Sequence, residues 1–282
     1  MRTSYKYYVD GISFELAEEI DIHFICEYGK LLHAFDQNDS GNISFIVEAD
    51  KKYFLKVAGL KTCNSDLDAS VSIRNLRKAR DIYSDIDHIY IVKPIKYEET
   101  DRYALLLFPY VEGECLFDHW NFEYYKKNGI ISPLQNFLTL DCGIRLQFVN
   151  DLFDFYESVN KSGYIATDFY EGSIIYNFKN NTFRICDLDF FTKNPSINTS
   201  GFQWGPERFL APEEKTIGQL LDTRTDIYHL GAFINIVFTD FQTKEWQLSD
   251  SKYEVIKKAM SIETGKRFQN FVEFKKAWSE VQ

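Results

Sequence analysis

The feature that most constrains this chain is a predicted β-hairpin with an aspartate at each end. Two apolar runs rich in β-branched and aromatic residues, 173–178 and 182–186, flank an Asn-Asn pair at 180–181. Asparagine tolerates positive φ, so the pattern predicts an antiparallel hairpin with this pair in its turn. Asp168 precedes the first strand and Asp187 follows the second. Antiparallel pairing returns both carboxylates to the same end of the ribbon, which predicts one acidic site.

Two carboxylates at the open end of a hairpin suit metal-assisted phosphoryl transfer. One aspartate would orient a nucleophilic hydroxyl, and the other would hold Mg²⁺. The alternative is a charged loop beside a surface hairpin, and two aspartates alone favour this simpler interpretation. The residues around the aspartates are therefore needed to decide between the two.

Length, composition and charge indicate a globular protein and exclude several classes. The chain has 282 residues, of which 45% are apolar and 17% aromatic, enough for a sizeable core. A net charge of −10 argues against nucleic acid as a partner, because binding a phosphate backbone requires clustered Lys and Arg. No apolar run is long enough to cross a bilayer, so we expect no membrane partner and a cytoplasmic protein. The five scattered cysteines predict reduced thiols and no zinc site.

The first third of the chain shows the period-two alternation that is typical of β-strands. Residues 1–28 are aromatic and acidic, and we interpret them only as a short extension that packs on the neighbouring strands. Three predicted strands, 31–35, 42–48 and 53–58, then form an antiparallel meander. Apolar residues at helical spacing over 66–85 predict an amphipathic helix.

Further strands, a long helix and a long loop are predicted in the rest of the chain. Segments 89–92 and 103–108 are predicted strands, and 116–133 is a predicted short helix with a loop. An apolar stripe over 146–159 predicts a long helix that ends just before the hairpin. Residues 192–210 lack periodicity, and a loop of this length is expected to have a function.

The stretch around the hairpin resembles the catalytic and magnesium loops of the protein kinase family. The family pattern is H-R-D-x-x-x-x-N, a hairpin and then D-F-G, and Asp168 and Asp187 match its two aspartates. Ser173 replaces the metal-binding Asn, and Asp189 replaces the glycine. Asp189 is similar to an acidic residue in choline-kinase and aminoglycoside phosphotransferase relatives. The other replacements, for His, Arg and Lys, are Ala166, Thr167 and Tyr170.

The predicted strands before the hairpin resemble the nucleotide-binding part of a kinase. Lys56 resembles the V-A-I-K lysine that grips the α- and β-phosphates, although taken alone it is an ordinary solvent-facing lysine. Ser40 and Gly41 offer backbone N–H groups to a phosphate, and the alternative is a plain polar turn. The glycine-rich loop itself is missing, since its glycine positions are occupied by Ala34, Asp36 and Asp39.

Two further positions concern the partner of Lys56 and the binding of adenine. Ala79 stands where the family helix supplies a glutamate to the lysine, so that ion pair is re-registered or absent. Pro109 and Val111 resemble the hinge between kinase lobes, where the C=O of Pro109 and the N–H of Val111 would meet adenine. The alternative is a simple strand exit.

Three features after the hairpin follow the family order. The segment 211–213, Ala-Pro-Glu, resembles the A-P-E that closes the activation segment, and Asp226 resembles the aspartate that caps the catalytic loop. Arg267 resembles the arginine that pairs with the A-P-E glutamate, so we expect a buried ion pair between Glu213 and Arg267. Thr167 replaces the arginine that grips a phosphorylated activation loop, so we expect no switching by phosphorylation there.

The resemblance implies a fold and its organisation. We expect an α+β, protein-kinase-like bilobal fold with a small antiparallel-sheet N-lobe carrying one helix and a larger, mostly helical C-lobe. The predicted boundaries place an N-terminal extension at 1–28, the N-lobe at 29–109 and the C-lobe at 110–282.

The resemblance also implies a phosphotransferase that uses ATP and Mg²⁺, or Mn²⁺ in its place, and acts on Ser or Thr hydroxyls. Lys56 would position the phosphates, Asp168 would orient the hydroxyl, and Asp187 would bind the metal with Ser173 and Asp189. The acceptor would be a protein or a small hydroxyl compound. The first alternative is a pseudokinase that acts as a nucleotide-binding or scaffolding module. The second is a small-molecule kinase, favoured by Asp189 and opposed by the A-P-E-like segment.

Overall fold

The chain forms a mixed α+β protein whose elements divide into two compact units. The first unit comprises Met1–Asp85 and Val92–Val111, and the second comprises Ile86–Ile91 and Glu112–Gln282. Among the described residues, no helix combines the length and the apolar character needed to cross a membrane. The structure, a computed structural model, describes residues 4–38, 40–118, 121–201 and 203–281. Asp39, one of the predicted glycine-loop positions, lies outside these ranges.

The first unit is built on a five-stranded antiparallel sheet. The strands of the unit are β1 (Tyr5–Val9), β2 (Ile12–Leu16), β3 (Lys30–Phe35), β4 (Asn42–Glu48), β5 (Lys52–Ala58), β6 (Lys96–Glu99) and β7 (Ala104–Pro109). β1 and β2 pair with each other, and the sheet has the order β3-β4-β5-β7-β6. The helix α1 (Ala69–Asp85) packs on β5 and β7. The predicted meander and the predicted helix are therefore confirmed, each to within a few residues.

The core of the first unit includes residues that the sequence assigned only to an extension. Phe14 and Leu16 of β2 and Ile25 of a 3-10 helix pack in one buried cluster with Phe45 and Leu55 of the sheet. The hairpin β1-β2 was not predicted, although its Asp-Gly turn is a strong hairpin signal. Both turn residues have positive φ, 51° for Asp10 and 85° for Gly11, as a type I′ turn requires.

The predicted strand at 89–92 is wrong. Within that fully described segment, Ile91 alone pairs, through one isolated parallel bridge to Ile185, and Ile89 is 79% exposed. The β-branched composition of the segment instead reflects the burial of Ile91. One edge of the sheet is formed by β6, whose sequence Lys-Tyr-Glu-Glu carries the charges that protect edge strands from further pairing.

The second unit is mostly helical, with short antiparallel ribbons. Its helices are α2 (Phe122–Asn128), α3 (Pro133–Leu138), α4 (Cys142–Lys161), α5 (Thr223–Phe238), α6 (Asp250–Ala259) and α7 (Phe271–Glu280). Its strands are β8 (Glu114–Cys115), β9 (Tyr164–Ile165), β10 (Ile174–Asn177), β11 (Thr182–Ile185), β12 (Thr192–Lys193), β13 (Ser196–Ile197) and β14 (Leu220–Leu221). The strands form the sheets β11-β10-β8, β12-β9 and β13-β14.

The helix α5 is the central element of the second unit. It begins at the N-cap Asp222, whose carboxylate accepts the N–H of Arg224 at 2.9 Å. Eleven of its 16 residues are buried, so it is surrounded on nearly all sides rather than along one stripe. It contacts α4, α6 and α7. This position carries the polar residue Asp226 into the interior beneath the loop that follows β9.

The buried ion pair expected between Glu213 and Arg267 is confirmed. Nη1 and Nη2 of Arg267 donate to Oε1 and Oε2 of Glu213 at 2.7 and 2.9 Å. The hydroxyl of Thr225 donates to Oε1 at 2.9 Å, and Nε of Arg267 donates to the carbonyl of Ser261 at 2.7 Å. Burial acts to raise the pKa of Glu213, but the hydrogen bonds and charge of Arg267 outweigh it and hold that pKa below its ordinary value.

Glu213→Ala should lower the free energy of unfolding by about 3–5 kcal/mol, because it leaves the Arg267 charge buried without its partner. The matched control is Glu263→Ala. Glu263 pairs with Lys266 at 2.6 Å on the surface, where a pair contributes about 0–1 kcal/mol. Urea unfolding of the three proteins at neutral pH measures the difference.

The Glu213 contribution should also depend on pH with a defined sign. A carboxyl whose folded pKa is lowered stabilises the fold above its unfolded pKa and loses that contribution as pH falls through the folded value. The difference in the free energy of unfolding between the parent and Glu213→Ala should therefore shrink as pH falls below 4.5, the ordinary pKa of this carboxyl. Identical unfolding curves at neutral pH would contradict the ion-pair account.

Candidate active site

The loop after β9 carries Asp168 and is held from beneath by α5. The N–H of Ala166 donates to Oδ1 of Asp226 at 2.8 Å, and Asp226 is fully buried. The N–H of Phe169 donates to the Ala166 carbonyl at 3.3 Å, which closes a turn around Asp168. Asp168 itself has a φ of 62°, in the left-handed region that Asp tolerates better than most residues. Burial raises the pKa of Asp226 to about 6, against the opposing effects of His229 and the Ala166 N–H.

The hairpin predicted from the sequence is confirmed. β10 and β11 pair in antiparallel register, with Ile174 opposite Ile185 at the open end and Asn177 opposite Thr182 at the turn. Asn181, in the turn, has a φ of 52°. This register sets the residues that precede β10 beside those that follow β11.

Asp187 follows β11, on a segment that hydrogen bonds join to the loop of Asp168. The N–H of Cys186 donates to the carbonyl of Ser173 at 2.9 Å, which joins the two ends of the hairpin. The hydroxyl of Thr167 donates to the carbonyl of Phe190, which joins the Asp168 loop to the segment after Asp187. Asp187 has the same φ as Asp168, 62°. The two aspartates therefore occupy left-handed positions on segments tied to each other by hydrogen bonds.

The carboxylates of Asp168 and Asp187 both influence the phenol of Tyr170. Burial raises the pKa of Tyr170 strongly, and the negative charges of Asp168 and Asp187 raise it further. Both carboxylates thus act on the same phenol, and the hairpin register sets the segments that carry them side by side.

The accessibility of the predicted metal ligands differs. Asp187 is exposed and Asp168 is partly buried. Ser173 and Asp189 are buried, with 2% and 8% of their surface exposed. The described ranges contain no cluster of three or more His, Cys, Asp or Glu side chains arranged to hold a metal. Asp187 is therefore the member of this set that an ion in solvent reaches most easily.

The remaining predicted residues belong to the first unit. Lys56 lies in the middle of β5, with Ser44 of β4 on one side and Leu106 of β7 on the other. Ala79, which stands at the position of the family glutamate, is fully buried in α1. Pro109 ends β7 opposite Tyr53.

Three predicted backbone positions flank these strands. Ser40 and Gly41 precede β4, and Gly41 has a φ of 78°. A Cβ on Gly41 would lie 3.2 Å from the Cβ of Ser72 and 3.4 Å from that of Leu67. Packing against the start of α1 is therefore sufficient reason for a glycine here. Val111 is the last residue of the first unit.

Sequence reasoning missed an ion pair beside the aspartates, between Glu171 and Arg208. Glu171 is 1% exposed, and its Oε1 accepts from Nη2 of Arg208. The guanidinium also lies over the rings of Phe117 and Phe209, 5.3 and 5.4 Å from their centroids. Burial raises the pKa of Glu171, and the charge of Arg208 opposes the rise. The partners are 37 residues apart, and no local pattern in the sequence marks either of them.

A glycine and an aromatic pair border Asp168. A Cβ on Gly205 would lie 3.3 Å from Oδ1 of Asp168, and Gly205 has a φ of 118°. Its neighbour Trp204, 37% exposed, packs on Phe190 with ring centroids 5.3 Å apart. The backbone of Gly205 thus lies close to the Asp168 carboxylate, and the partly exposed ring of Trp204 follows from the neighbouring residue.

The long loop before this glycine is ordered by a buried side chain, Asn198. Its Oδ1 accepts the N–H groups of Ser200 and Gly201 at 3.3 and 2.9 Å. Its Nδ2 donates to the carbonyls of Glu213 and Glu214 at 3.1 and 2.8 Å. β13 pairs with β14 at the same place. Hydrogen bonds of the chain itself therefore fix this part of the loop.

Comparison with known proteins adds no family assignment to this geometry. No protein-family model matches the sequence, and no curated protein matches it. The protein kinase resemblance therefore depends on the residues and spacings described above and stays a prediction.

Arg208→Ala should destabilise the fold by about 1.5–3 kcal/mol at neutral pH, because it removes a charged hydrogen bond from the buried Glu171 carboxylate. The effect should be smaller in acid. A carboxyl whose folded pKa is raised stabilises the fold fully below its unfolded pKa, here 4.5, and loses that contribution as pH rises through the folded value. Without Arg208 the pKa of Glu171 in the folded protein rises further. The loss of unfolding free energy relative to the parent should therefore grow from acid to neutral pH.

The control for this pH dependence is Glu171→Gln in the Arg208→Ala background. The neutral amide has no charge to bury, so the difference between the two variants should be largest at neutral pH and small in acid. Thermal unfolding across this pH range measures both. A loss in Arg208→Ala that is the same at every pH would contradict the burial of a charged Glu171.

Proposed function

We propose that the chain has a protein-kinase-like bilobal fold and is an ATP- and Mg²⁺-dependent phosphotransferase acting on Ser or Thr hydroxyls. The observation that supports the proposal is the hairpin β10-β11, whose antiparallel register and hydrogen bonds set the segments of Asp168 and Asp187 side by side at its open end. The buried pair of Glu213 and Arg267 supports it, because the kinase resemblance alone predicts that these two residues meet.

Asp168 is the proposed residue that acts on the hydroxyl group of the phosphate acceptor. Its carboxylate would orient the attacking hydroxyl and accept its proton, which requires a fixed position more than an unusual pKa. The hydrogen bond from Ala166 to Asp226 supplies that fixed position, since it holds the backbone two residues before Asp168. A preorganised carboxylate needs no rearrangement when the hydroxyl arrives.

Asp187 is the proposed metal ligand, and its exposure fits that role. Mg²⁺ keeps several waters and takes only one or two protein carboxylates at nucleotide sites, so a three-ligand protein cluster is not required. When bound, Mg²⁺ or Mn²⁺ neutralises charge on the nucleotide phosphates. Ser173 and Asp189 are proposed as further ligands of the metal ion. Both are buried, so they would bind the face of the ion that is turned towards the protein interior.

The first unit would supply the nucleotide contacts. Lys56 is proposed to hold the α- and β-phosphates, and the backbone N–H groups at Ser40 and Gly41 are proposed to approach them. The C=O of Pro109 and the N–H of Val111 would bind adenine. The acceptor is proposed to be a protein or a small hydroxyl compound that lies against Trp204 and Gly205.

A pseudokinase is the second candidate, and a specific observation favours it. Ala79, which has no carboxylate, is fully buried at the position of the family glutamate. The glycine-rich loop is also missing. In this function the aspartates would bind nucleotide or order the loop without turnover.

Substituting the two aspartates one at a time should have different consequences. Asp187→Asn should weaken Mg²⁺-dependent ATP binding, because it removes a charged ligand of a hard cation. Asp168→Asn should leave ATP affinity near the parent value and lower phosphoryl transfer by about 100-fold or more, because the lost group acts on the acceptor hydroxyl. Calorimetric titration of ATP with and without Mg²⁺, alongside a transfer assay with γ-labelled ATP, measures both.

The matched control is Asp154→Asn, which removes the same charge from an exposed site on α4 where Asp154 pairs with Lys275. It should change neither binding nor transfer. Mg²⁺-dependent ATP binding without transfer in the parent would establish the pseudokinase. If the metal does not affect binding in any of the four proteins, the assignment of the aspartates is wrong.

A further inference from the structure

His229 of α5 contacts two carboxylates in the interior of the second unit. Its Nε2 lies 2.6 Å from Oε2 of Glu214, which belongs to the 3-10 helix Pro212–Lys215, and its Nδ1 lies 3.6 Å from Oδ1 of Asp226. All three side chains are at most 2% exposed. Within the part of the chain that the structure describes, no other cationic side chain forms an ion pair with either carboxylate. Buried charges require compensation, so the location of the protons in this cluster matters.

The hydrogen bonds around the two carboxylates disfavour a proton on either of them. Oε2 of Glu214 accepts the N–H of Ala211 at 2.7 Å, and Oδ1 of Asp226 accepts the N–H of Ala166 at 2.8 Å. The other two oxygens, Oε1 of Glu214 and Oδ2 of Asp226, have no hydrogen-bond partner among the described residues. A proton on one of them would be a buried donor without an acceptor, which is unfavourable. The arrangement therefore favours the ionised form of both carboxyl groups.

The ring of His229 is the group that accommodates the proton. A neutral imidazole has one N–H and one lone pair, and the lone pair would face a carboxylate oxygen on whichever nitrogen carried it. An imidazolium instead presents an N–H to each carboxylate. The contact with Glu214 is then a charge-assisted hydrogen bond. The contact with Asp226 is an ion pair, because 3.6 Å is too long for a direct hydrogen bond.

The pKa values of the buried groups agree with this geometry. Burial acts to lower the pKa of His229, but Glu214 and Asp226 outweigh it and raise that pKa to about 10. Tyr156 of α4 is a further buried titratable side chain, and burial together with the charges of Asp226 and Glu214 raises its pKa well above the ordinary value. The phenol therefore stays neutral, and the imidazolium is the cation that compensates the two carboxylates.

We propose that protonated His229 is a positioning residue that ties the segment 211–214 to the loop of Asp168. Its contacts with Glu214 and Asp226 keep both carboxylates ionised and in place as acceptors. Those acceptors hold backbone N–H groups, one on each of the two segments. One buried positive charge therefore fixes two backbone positions, and this role requires neither nucleotide nor metal.

The protonation state is tested by long-range ¹H–¹⁵N correlation spectra of the full chain labelled with ¹⁵N in its histidine rings. Assignment through the backbone identifies each ring, so this test needs no variant. At about pH 8, above the ordinary histidine pKa of 6.5, His229 should show two protonated nitrogens. The internal control is His88, whose pKa is lowered by burial and whose Nδ1 accepts the N–H of Tyr90 at 3.4 Å, so its ring should be neutral. A neutral His229 ring at this pH would overturn the proposal.

The positioning role is tested by His229→Gln, which keeps a side-chain N–H donor and removes the charge. The amides of Ala166 and Ala211 should exchange their hydrogens about tenfold faster than in the parent, while the buried amides of α4 keep their rates. The matched control is His88→Gln, which removes a partly buried neutral ring from the same unit and should leave both rates unchanged.

Two results of the exchange measurement would contradict the positioning role. One is unchanged rates at Ala166 and Ala211 in His229→Gln. The other is equal acceleration at every slowly exchanging amide of the second unit, which would reflect general destabilisation. Neither test involves nucleotide, so the outcome is independent of the proposed phosphotransferase activity.

Discussion

The hydrogen bond from Ala166 to Asp226 is the interaction on which the candidate site depends. Backbone donors in an irregular loop need partners, and here a carboxylate from the central helix supplies one from below at 2.8 Å. Placing that carboxylate in the interior is unfavourable, as its raised pKa shows. His229 on the same helix offsets part of this cost, since its own pKa is raised by Asp226 and Glu214. The loop is therefore held by a network that extends well below the surface.

Strain at the two aspartates is consistent with a functional site. Asp168 and Asp187 both have a φ of 62°, which costs free energy for any residue with a side chain. Such positions persist where the surrounding contacts determine them, and here the contacts are the links from Thr167 to Phe190 and from Cys186 to Ser173. The same contacts hold the segments of the two carboxylates at one end of the hairpin, where their negative charge would stabilise a bound cation.

Local periodicity predicted the parts of the structure that depend on local patterns. The meander, the helix α1 and the β10-β11 hairpin follow from alternation, helical spacing and turn residues, and the kinase resemblance added the pairing of Glu213 with Arg267. The prediction failed at 89–92, where the buried Ile91 forms one isolated bridge and the segment forms no strand. It also missed Glu171 with Arg208 and the cluster around His229, because residues far apart in the sequence form these contacts and no spacing rule connects them.

The central claim is that the two aspartates form one site for a metal-bound nucleotide. The most direct measurement is paramagnetic broadening of the amide resonances of the isotope-labelled protein when Mn²⁺ and ATP are added together. We expect selective broadening of the resonances around Tyr170, Ser173 and Asp187, which lie at the open end of the hairpin. This broadening should disappear in Asp187→Asn and persist in Asp154→Asn. Broadening confined to other parts of the chain, or unchanged by the loss of Asp187, would contradict the account.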